Sequence, residues 1–179
     1  GDTLAIAAKQ SYVDDFCSGL VYLYGRSGAT WSLQGVVRPD PMCFGTFGDS
    51  VALSGNTLLV GSATENMSSS ANPNGAVYIF TRSGTTWTRA QKITAGHYLG
   101  DSYLGKAVAL AGDTALFGAT MDTPLTSGAG FVWTRSGGVF TYQATLSDPT
   151  AAAADTNLGW SVALAGDTAL LGARTYDVP

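Results

Sequence analysis

Ser50-Val51-Ala52-Leu53-Ser54-Gly55-Asn56-Thr57 returns as Ala107-Val108-Ala109-Leu110-Ala111-Gly112-Asp113-Thr114, and again as Ser161-Val162-Ala163-Leu164-Ala165-Gly166-Asp167-Thr168. The spacing is 57 residues and then 54. Gly1-Asp2-Thr3-Leu4 joins the series midway, matching Gly55-Asn56-Thr57-Leu58 at an offset of 54. A second phrase keeps the same phase: Tyr22-Leu23-Tyr24-Gly25-Arg26-Ser27-Gly28, Tyr78-Ile79-Phe80-Thr81-Arg82-Ser83-Gly84 and Phe131-Val132-Trp133-Thr134-Arg135-Ser136-Gly137. Self-similarity at this period is the mark of a repeat architecture.

Each unit reads as four short strands. Ser-Val-Ala-Leu is the first, and a Gly-Asn or Gly-Asp pair follows, which suits a two-residue hairpin because it tolerates positive φ. The second strand, Thr57–Gly61 and its equivalents, is continuously apolar, as in strands covered on both faces. The third carries the aromatics, and an Arg-Ser-Gly turn leads to the fourth. There Trp31, Leu33, Gly35 and Val37, or Phe140, Tyr142, Ala144 and Leu146, alternate as if on one face. Four antiparallel strands per unit of roughly 50 residues predict an all-β chain of β-propeller blades; a solenoid of ββ units fits less well because the four strands differ in character.

Composition agrees. Only 12% of the 179 residues are charged, 45% are hydrophobic, 23 are Gly, and Glu65 is the single Glu. Helix formers for exposed faces are scarce, and turn and strand formers abound. The net charge of −4 argues against nucleic acid, which calls for a basic stripe. No polybasic cluster addresses an anionic membrane, and no apolar run reaches the ~20 residues of a spanning helix.

The repeat resembles the FG-GAP family, the blades of integrin α-subunit propellers and their relatives. Phe47-Gly48, Leu104-Gly105 and Leu158-Gly159 stand where the family has Phe-Gly. Gly61-Ser62-Ala63, Gly118-Ala119-Thr120 and Gly172-Ala173-Arg174 stand where it has Gly-Ala-Pro, with Ala7-Ala8-Lys9 in the first unit. The proline is absent throughout, which marks a divergent branch. The resemblance implies a ring of commonly seven blades, of which this chain holds about three: a partial blade at 1–46 with strands two to four, blades at 47–103 and 104–157, and a partial blade at 158–179 with strands one and two, all of one propeller domain. Three blades cannot close a ring, so the remaining blades or further copies are expected as partners, and apolar flanks with residues such as Val51, Leu58 and Val162 are expected to be exposed.

Family blades often hold Ca²⁺ in an acidic loop between strands one and two. Here that connection is a tight hairpin, too short to supply six to eight oxygens, so Asp113 and Asp167 read as turn residues and no metal or cofactor is expected. Asp14, Asp15, Glu65, Asp122 and Asp177 recur after strand two, where the resemblance places a ligand-binding face; solvated loop carboxylates are the simpler reading. The long loops 39–48, 62–74, 95–105 and 147–159 hold Met42, Phe44, His97, Tyr98 and Tyr103, candidate contact residues because loops on a rigid scaffold concentrate binding. Phe44 and Tyr103 serve equally as plugs between blades. His97 is the only histidine, without a nucleophile motif near it, and two Cys with one His make no zinc pattern; the chain is read as no enzyme. Asn66-Met67-Ser68 is a glycosylation sequon.

Cys17 follows strand two of the first unit and Cys43 follows its strand four. In an up-and-down blade both connections emerge at one edge, which predicts a disulfide and with it an oxidising compartment. The function expected is an extracellular or cell-surface propeller segment for protein–protein adhesion or scaffolding; a carbohydrate-binding, lectin-like propeller is the alternative, with a glycan as partner.

Overall fold

The computed structural model describes residues 2–12, 17–39, 45–65, 74–94, 102–120, 127–149 and 156–174, and among them every regular element is a strand. In chain order these are β1 (Thr3–Tyr12), β2 (Cys17–Ser27), β3 (Thr30–Val37), β4 (Gly45–Thr46), β5 (Ser50–Ser54), β6 (Thr57–Ser62), β7 (Ala76–Ser83) and β8 (Thr86–Thr94). They continue as β9 (Ala107–Ala111), β10 (Thr114–Ala119), β11 (Ala129–Ser136), β12 (Val139–Leu146), β13 (Ser161–Ala165) and β14 (Thr168–Gly172).

The strands form β5-β6-β7-β8 and β9-β10-β11-β12, two up-and-down antiparallel sheets. Before them lies β1-β2-β3, with β4 added in parallel to β2, and after them the pair β13-β14. The two complete units are four-stranded propeller blades with strand two between strands one and three, and among the described residues the sheets do not close into a ring. The first hairpins behave as their glycines require. Ser54 pairs with Thr57 across Gly55-Asn56, and only the glycine takes positive φ, at 57°, the pattern of a type II′ turn.

Stacking follows from strands that bury both faces. β6 is buried along its whole length. Leu58 and Val60 point one way, into a cluster with Val21, Leu23, Val37, Phe47, Tyr78 and Phe80. Leu59 points the other way, with Val77, Ile79, Ile93, Phe117, Phe131 and Phe140. Phe47, the Phe of Phe-Gly, stands edge-on to Tyr78 at 5.1 Å and to Phe80 at 6.2 Å, pairs worth about 0.5–1.5 kcal/mol each beyond their burial.

Two expectations are overturned here. Leu58 is fully buried and Val51 packs beside it between the first two sheets, so neither lies on an exposed flank. Val162 is half-buried. The exposed apolar side chains at the two ends are Leu4 (42%) and Ile6 (47%) of β1 and Leu170 (63%) of β14. Second, strand four does not keep one face. Tyr24 pairs with Leu33 but Leu23 with Gly35; Phe80 pairs with Arg89 but Ile79 with Gln91; Trp133 pairs with Tyr142 but Val132 with Ala144. A bulge at Gln34, Ala90 and Gln143 inserts one residue and flips the alternation. Leu33 therefore shares a face with Tyr24 and is exposed, whereas Val37 turns into the core with Val21.

Candidate functional site

The junction between blades explains the repeated glycines. The N–H of Phe47 donates to Ser18 O (2.7 Å), that of Leu104 to Asn74 O (3.2 Å) and that of Leu158 to Ser127 O (2.7 Å), laying each Phe/Leu-Gly across the preceding blade. Gly48, Gly105 and Gly159 then donate to Gly61, Gly118 and Gly172 of their own blades at 2.9–3.1 Å. A Cβ at Gly61 would lie 2.0 Å from Gly105 O, and one at Gly118 would lie 2.0 Å from Gly159 O. Two backbones touch there, and only glycine fits. Ser50 Oγ closes the seam by donating to Gly105 O at 2.8 Å.

The edge that carries the hairpins is pinned by arginine. In each Arg-Ser-Gly turn the guanidinium reaches the first hairpin of its own unit: Arg26 to Asp2 Oδ1 (2.9 Å), Arg82 to Asn56 Oδ1 (2.9 Å) and Arg135 to Asp113 Oδ1 (2.7 Å). Arg82 also donates to Thr3 Oγ1 and Arg135 to Thr57 Oγ1, each in the preceding unit. Each guanidinium lies over an aromatic ring of its own hairpin, at 5.3–5.6 Å from Trp31, Trp87 and Phe140. The hydrogen bond from Arg26, and then its charge, hold the Asp2 carboxyl below its usual range. Asp113 is thus an ion-pair partner as well as a turn residue. A cleft of about 430 Å³ opens at this edge between the first two units, lined by Asp2, Thr3, Leu53, Gly55 and Arg82.

At the opposite edge, where strand two ends, two acids are sequestered. Glu65 is not the solvated loop carboxylate its position suggests: it is 3% exposed. Its Oε1 accepts from Tyr78 Oη (3.0 Å) and pairs with Lys92 Nζ (2.5 Å), which also sits 4.9 Å from the Tyr78 ring. Burial, then the Glu65 charge, pushes the Tyr78 phenol well above its usual range. Burial alone would lower Lys92, but Glu65 and Tyr78 outweigh it and hold the ammonium above its ordinary value. The burial of Glu65 has a backbone cause: its N–H donates to Ser62 O and its carbonyl accepts from Gly75 N–H (3.0 Å), which turns the side chain under the blade.

Asp49, which the sequence did not single out, is the second. Its buried carboxylate pairs with Lys9 of the first unit and accepts from Thr46 Oγ1 (3.0 Å) and the Ala63 N–H (2.8 Å). Ala63 stands where the related repeats have proline, and a proline there could not make that bond.

Another described residue at this edge is Trp160, just before β13. Lys106 Nζ lies 4.2 Å and Arg174 Cζ 4.4 Å from its ring centroid. Tyr103 is described and half-buried, with a left-handed φ of 52° in the turn that brings Lys106 N–H onto Tyr103 O (3.1 Å). Asp14, Asp15, Met42, Cys43, Phe44, Asn66, His97, Tyr98, Asp122 and Asp177 lie outside the described residues, as does the side chain of Cys17. The Cys17 backbone pairs in parallel with Gly45, two residues beyond Cys43.

The FG-GAP repeat model matches residues 39–80 and 87–133. No curated protein matches the chain. With that match laid over blades whose Phe/Leu-Gly and Gly-Ser/Gly-Ala glycines meet at successive junctions, the chain belongs to the FG-GAP repeat family.

Proposed function

We propose that the chain is an extracellular or cell-surface β-propeller segment that serves protein–protein adhesion or scaffolds a larger surface assembly, without catalysis of its own. The observation that carries this reading is the build of the FG-GAP junctions: backbone seams, aromatic packing and arginine pins join successive blades, with the ends of strands two and four of each complete unit at one edge. Such a scaffold presents loops for binding. FG-GAP repeats are typically protein-interaction modules of extracellular domains and typically non-enzymatic, which supports the assignment. No helix among the described residues is long and apolar enough to cross a membrane.

Partners in the assembly follow from the repeat. Leu4 and Ile6 hold the positions of Leu58 and Val60, and Leu170 that of Leu59, which are fully buried between sheets. Further blades, of the same protein or another copy, are the natural cover for these faces. The test is surface labelling of intact cells that express the parent protein, followed by crosslinking. Labelling without permeabilisation and crosslinks to a protein partner are expected. Labelling only after permeabilisation, or saturable sugar binding on a glycan array without a protein partner, overturns the reading.

A further inference from the structure

We propose that the outer notch between β3 and β8, at Gly35 and Trp87, is a receptor for the carboxamide side chain of a glutamine or asparagine on a protein partner. The inference rests on the reading of the chain as a protein-binding module and names the group that one of its surfaces takes.

The first observation is an internal ligand at the next junction. Gln91 of β8 reaches across to β12, where its Nε2 donates to Phe140 O at 2.9 Å and its Oε1 accepts from the Phe140 N–H at 3.0 Å. The register leaves those two backbone groups open to such a partner. Arg135 pairs with Phe140, yet the Arg135 N–H turns the other way, onto Asp113 O. The two residues are thus a non-hydrogen-bonded pair, and Phe140 directs its N–H and C=O out from the edge of the sheet. A primary carboxamide holds an N–H and its C=O on the same side and satisfies both.

The second observation comes from the repeat. Trp87 holds the position of Phe140. It pairs with Arg82, whose N–H goes to Asn56 O, so the Trp87 N–H and C=O also face outward from β8. Gly35 holds the position of Gln91. Each lies opposite a strand-three residue, Leu23 or Ile79, that packs toward the following blade. A Cβ at Gly35 would meet nothing within 4 Å, and the neighbouring Gln34 lays its amide against Gly25 of its own sheet. Both β3 and β8 lie whole within the described residues, so the notch belongs to the junction between two strands that are both present. The chain shows at one junction which group this edge takes, and at the other it carries no side chain to supply it.

Shape and chemistry favour a carboxamide over other occupants. β3 and β8 approach within 8 Å of each other, Cα to Cα, whereas an inserted strand needs two strand spacings, about 9.5 Å. A carboxylate accepts from the Trp87 N–H but has nothing to donate to its C=O. The N-acetyl group of a sugar is a trans secondary amide, whose N–H and C=O point in opposite directions, so it can satisfy only one of the two.

N-acetylglutamine methylamide, titrated into the isotope-labelled full chain and followed by NMR, tests the site. N-acetylmethionine methylamide, which has no side-chain amide, is the control probe. A saturable shift of the Trp87 amide signal is expected with the glutamine probe alone. G35Q should fill the notch from within, slow hydrogen exchange of the Trp87 amide at least about tenfold and abolish that shift. Q91A should open the second notch, so that the probe then moves the Phe140 signal as well; circular dichroism checks that each variant stays folded. A Trp87 signal that does not respond, an equal response to the methionine probe, or an unprotected Trp87 amide in folded G35Q would each overturn the proposal. Crosslinking of G35Q on cells separates the two readings: an undiminished protein crosslink retains the protein-binding function and removes this site from it.

Discussion

Replacing Gly61 by Ala tests whether the blade junction depends on touching backbones. The new Cβ would lie 2.0 Å from Gly105 O, 2.9 Å from Gly105 C and 2.4 Å from Ser50 Oγ. Carbon and oxygen normally approach no closer than about 3.3 Å, so the two blades must separate locally by more than about 1 Å. Overpacking of that kind costs about 1–3 kcal/mol. The displaced Ser50–Gly105 hydrogen bond adds about 0.5–1.5 kcal/mol. The sum, about 1.5–4.5 kcal/mol, is a large part of the 5–15 kcal/mol typical of a domain. In a urea titration followed by tryptophan fluorescence it lowers the midpoint by roughly 1–2 M, given an m-value of about 2 kcal/mol/M. Gly35 is the control, because nothing lies within 4 Å of its would-be Cβ and its φ is not positive. G35A should be neutral or slightly stabilising. A G61A midpoint within about 0.25 M of the parent, or an equal loss in G35A, refutes the argument.

Glu65, Tyr78 and Lys92 make stability fall in alkali: both Tyr78 and Lys92 have raised values in the folded state, so their contribution is complete below about pH 10, the unfolded phenol's value, and declines above it. Urea midpoints measured between about pH 8 and 11 should fall less steeply in Y78F than in the parent; identical slopes refute this. R135A removes the Asp113 pair and the Thr57 bond together and should cost about 1–2 kcal/mol, whereas D113A, which removes only an exposed pair, should cost under about 1 kcal/mol; equal losses would mean that the link between units contributes nothing. Non-reducing mass spectrometry of secreted protein should show Cys17 joined to Cys43, a closed loop worth about 3–4 kcal/mol; two freely alkylated thiols exclude it. The isolated 179 residues should self-associate through their end faces, and I6E with L170E should shift gel filtration toward monomer; an already monomeric parent contradicts this.

Period and hairpin chemistry were legible in the residues alone, because both are local. Ser-Val-Ala-Leu, Gly-Asn and the Arg-Ser-Gly turn set strand lengths and chain reversals within a few residues of themselves, and the doubly apolar second strand announces that both its faces are covered. What escaped that reading depends on residues of other strands and units. The bulge at Gln34, Ala90 and Gln143 leaves no mark in the alternation, since it answers the twist demanded by the partner strand. Glu65 looks like a loop acid until Lys92 and Tyr78, 27 and 13 residues onward, converge on it. Asp49 gains meaning only from Lys9 of the preceding unit, and the repeated arginine only from a threonine 78 or 79 residues before it. The repeat determined the blade, because hydrogen-bonded hairpins need only neighbouring residues. The convergence of strands within a blade, and the packing of one blade on the next, decided which of the described charges are buried and which are paired.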